Sequence, residues 1–164
     1  MKDAFDDLLP PMRLAIAYAP GNVRTAFALL LWLDSRFASI VGNVSEPLIG
    51  QMKLSWWRDS IGAGASESPK GEPMLSALFD LDQPILTKSV AALIDAWEIL
   101  VADPQWSASA VQEFAQARGE AIAGAYSALC GRGDFPADAM TQWALADLRL
   151  RLGSRVADLT LVDR

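Results

Sequence analysis

Histidine is absent from all 164 residues. This removes imidazole as acid, base or metal ligand, and with it Ser-His-Asp chemistry and the commoner zinc sites. Cysteine occurs once, as Cys130, so no internal disulfide can form, which suits a reducing compartment. Between Leu129 and Gly131, at an apparent helix end, its thiol reads as a small packing group rather than a nucleophile. Basic residues are the minority, 14 Lys+Arg against 20 Asp+Glu for a formal charge of -6. That balance disfavours nonspecific binding to nucleic acid or anionic lipid. Long apolar runs are lacking too: Ala26 to Leu33 is followed by Asp34 and Arg36, well short of the roughly twenty residues of a membrane span. The opening "MKDAFDDLL" has no apolar signal-peptide core. P-loop and G-x-G-x-x-G patterns are missing, as is any aromatic-basic interleaving. The expectation is a soluble, cytoplasmic protein without a nucleic-acid partner, in which any metal is a hard cation such as Mg²⁺ held by carboxylates.

What is present is apolar and helical. At 52% hydrophobic and 21% charged residues the chain can bury a core, and its length predicts one domain over 1–164. Breakers fall between helix-length segments. Pro10-Pro11 and Pro20-Gly21 bracket "MRLAIAYA", and a long helix follows over 22–40, with Asn22 as its cap and Gly42-Asn43 beyond its end. Pro47 suits a first helical position, and "GAGASESPKGEP" is a loop by composition. A short helix starts near Pro73, and others cover about 85–101, 107–130 and 137–152. Ser107 opens the third of these four and Gly131 closes it. Nothing alternates as a strand, so the predicted class is all-α.

"SEPLIGQMKLSWWRDSI" places Trp56 and Trp57 about 100° apart on one helix. Leu48, Ile49, Met52 and Trp56 form one apolar stripe; Leu54, Trp57 and Ile61 form a second on roughly the opposite side. Each indole carries about 150–250 Å² of surface, so both faces are expected to be covered. The expectation is that Trp56 faces the core and Trp57 faces a cavity or partner surface.

Carboxylates are scattered. Asp3, Asp6 and Asp7 have a metal-like spacing, but acidic residues also favour a helix start, and chain ends fray. Asp80 and Asp82 read as turn residues, and Asp95 and Glu98 as the solvated flank of an amphipathic helix. Arg149, Arg151, Arg155 and Arg164 read as a solvated face rather than a phosphate clamp.

Arg13, Tyr18-Ala19-Pro20, Arg24, Ala28-Leu29-Leu30, Ser45-Glu46-Pro47 and "QMKLSWWRD" together resemble the squalene/phytoene synthase family. The closest likeness is to its short bacterial branch, related to a mitochondrial complex I assembly factor. "LTKSVAALIDAWEILVADPQW" and "ARGEAIAGAYSAL" follow in the expected order. The resemblance implies an isoprenoid-synthase-like helical bundle around an apolar cavity, truncated relative to active members. Those join two prenyl diphosphates head to head, using Mg²⁺ held by two aspartate-rich motifs on facing helices. Aligned on Ser45-Glu46-Pro47, the first motif falls on Ala38, Ser39, Ile40, Val41 and Gly42, which carry no carboxylate. Near the second stand only the isolated Asp147 and Asp158.

The implied reading is a catalytically silent protein without cofactor, acting as a scaffold or apolar-ligand carrier. Its expected partners are a protein or an isoprenoid-like ligand, with a homodimer or association at a membrane surface as further forms of binding. The alternative is a working Mg²⁺-dependent prenyltransferase whose carboxylates come from Asp3 and Asp7 or from a second subunit. The residues expected to line a cavity or interface are Tyr18, Asp34, Arg36, Met52, Trp57 and Arg58.

Overall fold

The computed structural model describes residues 8–67, 69–131 and 135–156, and these form seven helices and no strand. They are α1 (Pro10–Tyr18), α2 (Arg24–Asn43), α3 (Pro47–Ala63), α4 (Pro73–Asp80), α5 (Pro84–Ala102), α6 (Ala108–Cys130) and α7 (Ala137–Val156). The all-α expectation holds. Proline stands in the first turn of α1, α3, α4 and α5, where its missing N–H leaves no bond unmade.

Local chemistry sets the helix ends. Arg24 donates through Nε and Nη2 to the Ala19 carbonyl at 3.2 and 2.9 Å, satisfying a carbonyl that α1 leaves open at its C-terminus. Asn22 is not the cap of α2. The Pro20 carbonyl accepts from Val23 and Arg24 instead, so the turn itself supplies what a side chain would have. Nor does α2 stop before Gly42: it runs on to Asn43, whose amide donates to the Ser39 carbonyl at 2.8 Å. Ser107 does cap α6, accepting from the Ala110 amide, and Gly131 ends it in the left-handed region at φ 62°.

The α5–α6 turn is built on Asp103, whose carboxylate accepts from the Gln105 and Ser107 amides and from the Ser107 hydroxyl. The Ser107 hydroxyl, followed by its amide, holds the Asp103 carboxyl below its ordinary 3.8. A carboxylate with a depressed folded value stabilises the fold above the unfolded value, and loses that contribution as pH falls through the folded one. Asp103→Ala is therefore expected to be less stable than the parent at neutral pH. The gap should close as urea midpoints are followed down through the acid range; a constant gap would contradict the capping role.

α2 lies at the centre, with twelve buried residues, packed against α5 and, along shorter contacts, α1, α3, α4 and α6. Its 20 residues have a window of mean hydropathy 1.3, long and apolar enough by composition to cross a bilayer. Here its apolar faces are taken up by neighbouring helices. The α6 and α7 backbones approach closely at Gly119, where a Cβ would lie 2.8 Å from the Thr141 amide nitrogen and 2.9 Å from the Met140 carbonyl carbon. Backbone cannot swing aside as a side-chain tip can. Gly119→Ala is expected to push α7 outward and cost about 1–3 kcal/mol, measured by urea denaturation; a neutral result would mean that α7 is not held there.

The two tryptophans of α3 take the opposite places from those expected. Trp57 is 3% exposed, with Leu54 and Ile61 beside it in the core, whereas Trp56 is 41% exposed in line with Leu48, Ile49 and Met52. Gly50 decides the rotation. A Cβ there would meet Val101 and Val44 side chains at 3.2 Å, so the face carrying Gly50 comes closest to its neighbours. Ser60 can join that face because its hydroxyl donates to the Trp56 carbonyl at 2.7 Å.

Candidate functional site

Two oppositely charged side chains stand on apolar helical stripes. Asp34 follows Leu30 and precedes Phe37 and Val41 on α2; Arg118 lies between Phe114, Ala115, Ile122 and Ala125 on α6. All of these are buried. A charge in such a register must find a partner inside, and these two find each other. The Arg118 Nε donates to Asp34 Oδ1 at 3.0 Å and Nη2 to Oδ2 at 2.6 Å. The same Nη2 donates to Asp147 Oδ2 of α7 at 2.6 Å. The Trp97 indole of α5 donates to Asp34 Oδ1 at 2.8 Å.

The guanidinium is fully buried, with its carbon 4.5, 5.2 and 5.7 Å from the ring centroids of Trp143, Trp97 and Phe114. Burial pulls its pKa down, but the charges and hydrogen bonds of Asp34, then Asp147, outweigh this and hold it above the ordinary value. From Asp147 the network reaches Arg151 Nε at 2.8 Å, and Arg151 donates on to Ser35 Oγ at 3.0 Å. Two carboxylates and two guanidinium groups thus join α2, α5, α6 and α7 in one neutral cluster.

Arg151 is also where the cluster meets the surface. It lines an open groove of about 750 Å³ with Trp32, Arg36, Ser39 and Leu152. A second cavity, of about 690 Å³, shares Arg36, Ser39 and Asn43 with the first and extends to Met52, Lys53, Trp56 and Trp57. An apolar cleft of about 500 Å³, lined by Ala28, Leu29 and Ala77, shares Trp32 and Pro73 at the other end. All three follow the outward face of α2.

The expected site residues separate on this geometry. Arg36, Met52 and Trp57 do line the groove, Trp57 only with an edge of its buried ring. Asp34 does not: it is 0% exposed and committed to Arg118 and Trp97. Arg58 points to α5, where it donates to Glu98 at 2.7 and 2.9 Å and also bonds Asp95. The Glu98 hydrogen bond holds its pKa above the ordinary value, burial opposes, and Asp95 adds to the rise. Asp95 and Glu98 are therefore an arginine clamp, not a bare solvated flank. Tyr18 is 83% exposed and borders a separate recess of about 360 Å³ with Phe27, Tyr126 and Trp143. Cys130 is half-buried at the end of α6, and Arg151, read as solvated, is tied into the cluster. Asp3, Asp6, Asp7 and Asp158 lie outside the described residues.

Of the positions expected for the first aspartate-rich motif, Ala38, Ser39, Ile40 and Gly42 line these cavities and Val41 does not. Ala38, Ile40 and Val41 are buried and Ser39 is exposed. Gly42 lies beneath Leu152, whose Cδ2 would sit 2.7 Å from a Cβ at that position. Leu152 reaches it from a kink in α7, at φ -130° and ψ 29°. Mg²⁺ needs carboxylate oxygens converging on one point. Among the described residues no three acidic or cysteine side chains converge, and the pairs that approach are each bonded to an arginine, Asp34 and Asp147 to Arg118 and Asp95 and Glu98 to Arg58. The described residues do not fit that ion.

The all-α bundle is that of an isoprenoid-synthase-like protein. The chain belongs to the squalene/phytoene synthase family, whose family model matches residues 11–141. Comparison with curated proteins and with solved structures gives no match. Arg118 was missed at the level of sequence, although its signal was there: one cation among small and apolar residues, in phase with Phe114 and Ile122.

Proposed function

We propose that this chain is a catalytically silent member of its family that acts by binding, as an assembly scaffold or apolar-ligand carrier, through the groove along α2. The observation that carries this reading is the place of Arg118. Ionising a prenyl diphosphate leaves several negative charges on the departing group, and metal cations held by clustered carboxylates are what stabilise them. Here the two facing carboxylates are bridged by the protein's own guanidinium. The bridge lies inside the bundle, and the groove floor above it is Ala38, Ser39 and Gly42.

The test is incubation with farnesyl or geranylgeranyl diphosphate and Mg²⁺. Diphosphate release is expected to equal that of a no-protein control. Release above the control would instead support a working head-to-head prenyltransferase, with carboxylates supplied from Asp3 and Asp7 or by a second subunit.

A further inference from the structure

We propose that the groove along α2, walled by α3 at one end and by α4 at the other, seats an acidic amphipathic helix donated by a partner protein. The inference rests on the binding role above and names its occupant. Shape is the first support. The outward face of α2 is lined by cavities from Arg24 to Asn43, a length of roughly 30 Å. One wall is the exposed stripe of α3: Ile49, Met52 and Trp56 are 42%, 65% and 41% exposed. A concave trough of this length, open to solvent, accepts a third helix laid beside two.

Lining chemistry points the same way. The trough alternates apolar groups (Trp32, Met52, Trp56) with polar ones (Ser39, Asn43, Arg36). Ser39 and Asn43 already bond each other, which leaves Arg36 as the polar group to be met, and a helix with an apolar stripe and polar margins matches both kinds of lining. Methionine at such a surface also lets it adapt to a partner's side chains.

Charge selects the sign. The chain carries -6 overall, yet Arg36 and Lys53 border the trough without an ion pair among the described residues. Glu72, the acid beside them, accepts from the Met74 amide at the start of α4. Glu72 keeps its charge, but the two cations outnumber it in this cavity, and the positive excess favours carboxylates on the incoming helix. The overall negative charge argues against an anionic membrane as the occupant.

The experiment uses two designed peptides of about 18 residues, roughly 27 Å as helices. Both carry the same leucine stripe, flanked by glutamate in one and lysine in the other. Calorimetric titration of the full chain should give binding at least about tenfold tighter for the glutamate peptide, a margin of one or two charge pairs. Arg36→Glu with Lys53→Glu should reverse that preference, and Trp56→Ala should weaken the glutamate peptide about tenfold. All three residues are exposed, so unchanged melting temperatures will show that the variants fold.

Four outcomes would overturn the proposal: no binding of either peptide, equal binding of both, binding only to phosphatidylserine vesicles, or dimerisation by light scattering that the Arg36/Lys53 reversal abolishes. Diphosphate release measured on the same preparation judges the silent reading separately, so the failure of one is not mistaken for that of the other.

Discussion

Arg118→Ala is expected to destabilise the protein by about 3–5 kcal/mol, the range for breaking a buried ion pair by removing one partner. The cost comes less from the lost attraction than from what stays behind. Asp34 is 0% exposed and Asp147 6%; Asp34 would keep only the neutral Trp97 indole as a donor and Asp147 only Arg151, so the buried carboxylates lose the charge that offsets most of their desolvation. Against a typical total of about 5–15 kcal/mol for a domain, this loss could consume most of the stability. A second variant keeps the prediction testable if the first does not fold. Replacing all three charges together, as Asp34→Leu, Arg118→Met and Asp147→Leu, removes the desolvated groups as well as their pairing. Such wholesale replacements are often neutral or better. The Trp97 indole would lose its acceptor, at about 1–3 kcal/mol, so the triple variant should be clearly more stable than Arg118→Ala though carrying more substitutions. Urea midpoints decide it. A cost for the single change of under about 1 kcal/mol, within the range for exposed pairs, would mean that the cluster is not closed to water.

The second large effect concerns the neighbouring tryptophans. Trp57→Ala is expected to cost about 3–5 kcal/mol, as for other buried aromatics truncated to alanine. Trp57 packs edge-on to Phe37 at 5.6 Å and to Trp56 at 5.3 Å between ring centroids. The indole fills space between α2 and α3 that no neighbour can close without shifting a helix. Trp56→Ala loses the ring contact with Trp57, about 0.5–1.5 kcal/mol, and little else, because much of its ring is already in solvent. For a chain of this size the first variant should melt about 10 °C or more below the parent and the second within a few degrees. Equal shifts in melting temperature would contradict the rotation of α3. Trp56 should show its effect in binding, where Trp57 cannot be read apart from stability.

The two results bear on how much of the molecule was legible beforehand. Helix positions followed from prolines, glycines and apolar spacing, because those depend on the local backbone. The ends that were misplaced, at Asn22 and Gly42-Asn43, are ones where a turn carbonyl or a helix continuation did the work assigned to a side chain. The double stripe of α3 was read correctly as two apolar faces, but which face went inward was reversed. The stripes alone do not fix which way a helix turns; Gly50 against Val44 and Val101 does. In the candidate site, Arg36 and Met52 were found because they stand beside the α3 stripe. Asp34 was singled out as a lone acid, and its meaning was missed because its partners Trp97 and Arg118 lie 63 and 84 positions further along the chain.

By itself, the sequence determined an all-α chain with no histidine chemistry, which follows from residue identity and from spacing within single helices. Its resemblance to the squalene/phytoene synthase family is what gave meaning to the lack of a carboxylate at Ala38–Gly42. Only the tertiary structure decided that Asp34 and Asp147 close on Arg118, that Trp57 is core and Trp56 surface, and that three cavities join along α2. Each of these depends on which helices meet and at what rotation, and that is set by packing between segments far apart in the chain, where no local pattern reaches.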